Sequence, residues 1–318
     1  MLKYIIKRVL VSIPLLFAIT VVVFALSHLM PGDAVLAMTT DQAPISEELI
    51  AIRRGQLGLD QPLPVQYVNW MQQVLQGNFG YSYVESTPVN EMIAARVLPT
   101  LQLMGTSLIF SIVVGVLLGL VSALRQYSVL DYALTILGFI GVSVPVFFLG
   151  MILVYVFALR LQWFPTSGMR TAGEPYSLVD NLRHLFLPAL ALAILRTAVF
   201  MRFTRDSVLE VLNQDYVRTA RAKGLRLWTI NWRHIFRNAM IPIVTVIGLN
   251  LPVLFAGAVF IETIFQWPGI GLLFIGAVND RDAPVIMGLT LIFAIIVLGS
   301  NLLTDIAYAL VDPRIAYD

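Results

Sequence analysis

Four stretches of this sequence run for 21 to 28 residues without Asp, Glu, Lys or Arg: Val9–Leu29, Thr100–Leu124, Tyr132–Leu159 and Ile241–Ile261. A helix needs roughly 20 apolar residues to cross about 30 Å of hydrocarbon, so each run is long enough to span a bilayer. Two more candidates carry one charge each, Phe186–Met201 with Arg196 and Val285–Ala309 with Asp305. Only 13% of the 318 residues are charged and 58% are hydrophobic, with a mean hydropathy of +0.82. A soluble domain of this length would need far more surface charge. The expected fold is therefore an all-α membrane protein with six transmembrane helices.

Tyr132–Leu159 is too long for a straight crossing: 28 residues at ~1.5 Å each reach ~42 Å. Gly138, Gly141 and Ser143 before Pro145 mark where it should tilt or break, and it counts as one span. The first run follows Lys3, Lys7 and Arg8 in the manner of a secretory signal. At 21 residues it exceeds the roughly 7–15 of a signal core, and no A-x-A-like site follows it, so it reads as a span that stays.

Charge sets the direction. With the N-terminus inside, the cytoplasmic segments hold Lys3, Lys7, Arg8, Arg125, Arg202, Arg205, Arg218, Arg221, Lys223, Arg226, Arg233, Arg237 and Arg314, which is 13 of 21 basic residues. This bias favours cytoplasmic N- and C-termini. Residues 1–99 then form the first helix plus an extracytoplasmic cap segment, and residues 100–318 form a five-helix membrane domain with a basic cytoplasmic loop at 202–238. Within the acidic cap, Ser46 can cap a short helix carrying Glu47 and Glu48 at its start and Arg53 and Arg54 near its end.

The loop holds the sequence Asp215-Tyr216-Val217-Arg218-Thr219-Ala220-Arg221-Ala222-Lys223-Gly224. Asp215 can cap a helix at its positive end, Lys223 complements the far end, and Gly224 suits a left-handed stop. The result is a rigid helix of about two turns, ~13 Å long. Small Ala220 and Ala222 would let a partner approach, and Arg218 and Arg221 share a face. Physics alone leaves two readings open: a helix lying on anionic headgroups, or a helix that couples to another protein.

Asp215–Leu225 resembles the cytoplasmic loop of ABC importer permeases of the dipeptide, oligopeptide and nickel branch. Arg218, Thr219 and Ala220 stand where Glu-Ala-Ala is commonest in that family, a departure typical of the peptide branch. Similar to the B-type permease are Met1-Leu2-Lys3-Tyr4, His28-Leu29-Met30-Pro31-Gly32-Asp33 and Leu57 to Tyr67. So are Glu262-Thr263-Ile264-Phe265, Trp267-Pro268-Gly269-Ile270-Gly271, Arg281-Asp282-Ala283-Pro284 and Asp312-Pro313-Arg314.

The resemblance implies a type I ABC importer permease fold in the bacterial inner membrane. It implies a second related permease, two ATP-binding subunits that hold ATP and Mg, and an extracytoplasmic substrate-binding protein. It also implies that Asp215, Tyr216, Arg218, Thr219, Ala220, Arg221, Ala222, Lys223 and Gly224 couple to the ATPase. Consistent with this, the chain's lysines are Lys3, Lys7 and Lys223, and none follows a glycine as a P-loop requires. The chain is expected to be no enzyme, to bind no cofactor itself, and to meet membrane lipid but no nucleic acid. By family frequency the cargo is a small peptide, with nickel or glutathione-like ligands behind it.

Polar residues in or near the spans complete the expectations. Arg196 is costly in hydrocarbon and must face protein or water; a place on the translocation path competes with a salt bridge or a site near an interface. Asn250 with Pro252 reads equally as a kink on the path or as a purely structural one. Pro145 marks the break in the third span, and Pro268, Gly269 and Gly271 form a turn expected at the rim of an outer gate. Asp305 is expected to pair with the basic loop, whereas Asp131 and Glu262, at span ends, are expected in water. His28, His184 and His234 lack metal-site spacing, so no metal is assigned. Without cysteine, disulfides, thiolate metal sites and a cysteine nucleophile are excluded. A gradient-driven secondary transporter would be expected to keep carboxylates deep in its spans; here they sit at the ends. A channel or assembly subunit is a third reading.

Overall fold

The structure, a computed structural model, describes residues 2–29, 51–52, 54–55 and 58–311. Ser46, Glu47, Glu48 and Arg53 of the expected cap helix and the Asp312–Arg314 tail lie outside the described residues, as does the side chain of Asn250. Helices α1 (Leu2–Leu29), α2 (Leu63–Leu75) and α3 (Val89–Leu124) open the described order. Next come α4 (Val129–Ser143), α5 (Val146–Leu153) with a π-helical continuation Val154–Arg160, and α6 (Leu178–Leu212). They are followed by α7 (Asp215–Ala222), the short α8 (Leu227–Thr229) with π-helical Ile230–Phe236, α9 (Arg237–Ile264), α10 (Ile270–Asp280) and α11 (Ala283–Val311). Among the described residues, β pairing is limited to one antiparallel bridge between Tyr81 and Pro88.

Among the described residues, four of these helices are long and apolar enough to cross a membrane, and the α4–α5 pair makes a fifth if taken as one span. The run Ile241–Ile261 lies inside α9, whose side chains are described only in part. The second span proves longer than its apolar run: α3 begins at Val89, eleven residues before Thr100, and carries Pro99 inside it. The carbonyl of Pro99 accepts the Nε1–H of Trp267 at 2.9 Å.

The weakest apolar run becomes the central helix. Phe186–Met201 is the middle of the 35-residue α6, and 67% of that helix's most apolar window is buried, against 11% for α1. Burial in protein rather than lipid explains its lower hydropathy, because the neighbouring helices accommodate Asn181, His184 and Arg196.

Glycine makes the α3–α6 crossing possible. A Cβ on Gly115 would stand 2.7 Å from Phe200 Cβ, and one on Gly119 would stand 2.6 Å from Thr204 Cβ. Only small residues let two backbones come this close. On the N-terminal side of the crossing in both helices, Leu103, Leu187 and Ala191 join Leu254 and Ile261 in the main core. Helix α1 packs against α11, with Val23, Phe24 and Met287 in one buried cluster. It touches α2 through Phe24, Tyr67 and Trp70, with Thr20 Oγ1 2.8 Å from Tyr67 Oη. Arg8 Nε pairs with Asp305 at 2.5 Å, so Asp305 bonds the first helix rather than the basic loop expected for it.

The third apolar run breaks where its proline requires. Val144 is extended at φ −85°, ψ 125°, and the helices on either side of Val144–Pro145 are bent by 104°. A proline forces its predecessor out of the helical region and offers no N–H to continue the ladder. Gly138 and Gly141 are not at the break. They lie inside α4 against Met201 and Ile194 of α6.

Candidate functional site

Helix α7 occupies 215–222, ~12 Å of rigid helix. Its N-cap is Gln214, so Asp215 is its first residue rather than the cap, still with a carboxylate at the positive end of the dipole. Its far end closes as a Schellman motif: the N–H of Gly224 meets the Arg221 carbonyl at 3.0 Å and that of Leu225 meets the Ala220 carbonyl at 3.4 Å. Gly224 sits at φ +70°, the left-handed conformation that glycine adopts without strain.

One face of α7 is seated on the chain itself. Val217 (0% exposed) and Ala220 (4%) pack with Leu120, Ala123, Val208, Ile230 and Ile235. Ala220 is therefore part of this chain's core, which corrects the expectation that it opens room for a partner; its small size lets α7 sit close against the π-helical segment Ile230–Phe236. The opposite face is polar and exposed: Asp215, Tyr216, Arg218, Thr219, Arg221, Ala222 and Lys223. Arg218 pairs with Asp215 at 3.6 Å, with side chains 73% and 96% exposed, so the pair orders charge at the surface without locking it. Such a stiff, small, charged knob can be gripped by another protein.

Two carboxylates expected in water are instead buried. Glu262 is 0% exposed at the end of α9. Its Oε1 accepts from Thr100 Oγ1 at 2.6 Å, and its Oε2 accepts from the N–H groups of Gly271 (2.7 Å) and Leu272 (3.1 Å). Thr100 Oγ1 also accepts the Ile270 N–H at 2.8 Å. The first three amides of α10, which a helix cannot satisfy internally, are thus capped from α3 and α9. A Cβ on Gly269 would overlap the Glu262 carboxylate, and one on Gly271 would stand 2.6 Å from Val259 Cα. Pro268, Gly269 and Gly271 therefore form a packed junction, with Trp267 fully buried beside it.

Asp131, 2% exposed, is the second. It accepts from Arg205 Nε (2.8 Å) and Nη2 (2.9 Å), from the Tyr127 N–H (3.0 Å) and from Ser122 Oγ. This ties the ends of α3, α4 and α6 together below the α3–α6 crossing. At the other end of α3, Asp282 accepts from Ser82 Oγ (2.5 Å) and the Tyr83 N–H (3.2 Å). Burial, then the nearby Asp282 charge, pushes the Tyr83 hydroxyl above the usual tyrosine range.

The remaining candidates do not converge. Arg196 is buried within α6 at 9% exposure, Pro145 caps α5 at the bend, and the backbone of Asn250 lies in α9. The three histidines sit on α1, α6 and the π-helical segment before α9. Sequence reasoning passed over Thr100, Glu262, Asp131 and Arg205 as functional anchors. The available signal was a carboxylate just outside an apolar run with glycines or an arginine in reach.

Residues 115–317 match the family model described as "Binding-protein-dependent transport system inner membrane component", and residues 1–104 match the N-terminal model of the same kind of component. The chain is 43% identical over 318 residues to the oligopeptide transport system permease protein AppB of Bacillus subtilis, covering 100% of both chains. It is 41% identical over 317 residues to the glutathione transport system permease protein GsiC of Salmonella typhimurium, again covering 100% of both. A Brucella suis protein with a peptide-permease name is 48% identical over 316 residues, 99% of each chain.

Proposed function

The chain belongs to the family of inner-membrane components of binding-protein-dependent transport systems, and from that premise we propose that it carries small peptides inward by ATP-driven alternating access. It is a multi-pass inner-membrane permease subunit whose family works with ATPase and substrate-binding subunits. In our reading it has six spans with both termini cytoplasmic, the bent α4–α5 pair counting as one. Residues 1–99 bear the first helix and the extracytoplasmic cap. Residues 100–318 form the membrane domain, with the loop 202–238 inside the cell.

The complete assembly holds a second related permease, two ATP-binding subunits and one extracytoplasmic binding protein. ATP and Mg belong to the ATPase chains. The exposed residues of α7 enter a cleft on the ATPase, and its buried face passes the motion to α3 and α6. Arg196, Asn250 and the Pro145 bend border the path, and the turn Pro268–Gly271 is the fixed rim beside the outer gate. Peptide cargo is supported by the names of the relatives, and the glutathione permease fits because glutathione is itself a peptide.

The observation that carries this reading is α7: a capped helix seated by Val217 and Ala220, with its charges turned outward. The test is a mild-detergent pull-down of the tagged chain from its native membrane, with mass spectrometry and an ATPase assay. Two ATPase chains and a second permease should co-purify, and Gly224→Asp should abolish coupled hydrolysis while the protein remains in the membrane. Full peptide uptake by a well-expressed Gly224→Asp variant would sink the coupling role of α7. A chain that elutes alone even after crosslinking would favour a gradient-driven transporter.

A further inference from the structure

The segment between α7 and α9 has two unlike sides. Ile230 and Ile235 are 1% and 0% exposed and face the cluster that seats α7. Their spacing of five matches one turn of the π-helix, whose hydrogen bonds run i to i+5. The other side carries Trp228, 72% exposed, and Trp232, 38% exposed. With Phe236 these rings form a continuous row, centroids 5.2 and 4.8 Å apart. Arg226, Arg233 and Arg237 are exposed along the same stretch. No Asp or Glu occurs between Tyr216 and Ile261, so nothing in the local sequence neutralises these guanidiniums.

Exposed tryptophan is costly in bulk water, and its ring with one N–H is suited to the headgroup level of a bilayer. Guanidinium groups there bind phosphate with paired donors. Position agrees with chemistry, because Arg237 is the first residue of α9 and precedes the uncharged run Ile241–Ile261 by four residues. Phe236 anchors the row on the cluster that seats α7, while Trp228 and Trp232 stay exposed and accessible to lipid.

We propose that Arg226–Arg237 is an anionic-phospholipid site, with Trp228 and Trp232 in the interfacial layer and Arg233 and Arg237 on the phosphodiesters. The inference rests on the cytoplasmic placement of this loop under the proposed function. It makes transport depend on the anionic lipid content of the inner leaflet.

The test is native mass spectrometry of the full chain in detergent, titrated separately with phosphatidylglycerol and phosphatidylcholine. The chain should hold phosphatidylglycerol preferentially. Each interfacial basic residue contributes roughly a fivefold gain in affinity for an anionic surface, so R233Q/R237Q should weaken phosphatidylglycerol binding by about 25-fold. R233K/R237K should retain most of it, and W228A/W232A should lower binding of both lipids. Arg170→Gln, an exposed arginine outside the row, should change nothing.

Equal binding of the two lipids by the wild-type chain would overturn the site, as would unchanged phosphatidylglycerol binding by R233Q/R237Q. Loss in the lysine variant equal to that in the glutamine variant would also overturn it, since folding rather than charge would then be responsible. Intact lipid binding by R233Q/R237Q with ATPase subunits lost from the pull-down would assign the row to a protein partner instead. A cysteine placed at Arg226 and labelled from outside whole cells by an impermeant maleimide would fail the orientation alone, separately from headgroup binding in detergent.

Discussion

At the Thr100 end of α3, a carboxylate with no exposed surface receives three hydrogen bonds and closes the start of a second helix. At the Leu124 end, α7 rests on the bundle through Val217 and Ala220 and turns its charges to the outside. A buried polar network that is fully satisfied holds its members in one arrangement, because every alternative leaves a polar group unpaired. A small apolar seat holds position without committing the outward side chains, which stay available to a partner. The molecule uses buried hydrogen-bond junctions to fix helices to each other, and leaves the charges of α7 on its surface.

Breaking the junction should produce the largest effect. Glu262→Ala strands the Thr100 hydroxyl and the Gly271 and Leu272 amides in a dry site, with an expected loss of about 3 kcal/mol or more. Thermal unfolding in detergent reads this directly, and Glu262→Gln, which keeps one acceptor, should lose less. An Ala variant as stable as the parent would mean that water or lipid already reaches the junction. Asp131→Asn should come next at about 2 kcal/mol, since Arg205 keeps its place while the charge-assisted pairing goes. If unfolding is unchanged, the Arg205 contact contributes nothing to holding α3, α4 and α6.

The α7 seat should respond less to substitution. Ala220→Leu should overpack the Leu120–Ile230 cluster and cost about 1–3 kcal/mol. A thermal midpoint unaffected by this change would show that α7 lifts away at little cost. The smallest effect on stability should come from R218A/R221A, whose residues are exposed: no shift in the unfolding midpoint is expected, while ATPase activity coupled to transport should fall at least tenfold. A loss of stability in this pair would blur the contrast between the two ends, and unchanged coupling would remove its functional meaning.

The apolar runs made the helices legible because a bilayer imposes a length and excludes charge. Gly224 was legible for a local reason: a left-handed helix stop favours glycine wherever it occurs. Glu262 and Asp131 were misread because water at a helix end and a buried partner from a distant helix leave the same local sequence. Thr100 lies 162 residues from Glu262, and Arg205 lies 74 from Asp131. Such pairings are set by tertiary packing. Ala220 was misassigned for a related reason: a small residue on an amphipathic helix marks a close approach but not whether the neighbour is self or partner. The limits of α6 were hidden because a helix enclosed by protein is free to carry Asn181, His184 and Arg196.

The glycine crossing of α3 and α6 is far from the middle of either helix. From Gly115–Gly119, α3 extends about 42 Å toward Val89 but only about 10 Å toward Leu124. In α6 the corresponding arms, measured from Met201, are about 35 Å and about 17 Å. The two helices also meet far from the glycines, where Gln102 Nε2 donates to Asn181 Oδ1, so they are joined along their length and form one stiff pair rather than two crossed rods. Helix α7 shares its apolar seat with the short end of that pair, so a displacement applied there would be carried by both helices together rather than absorbed between them.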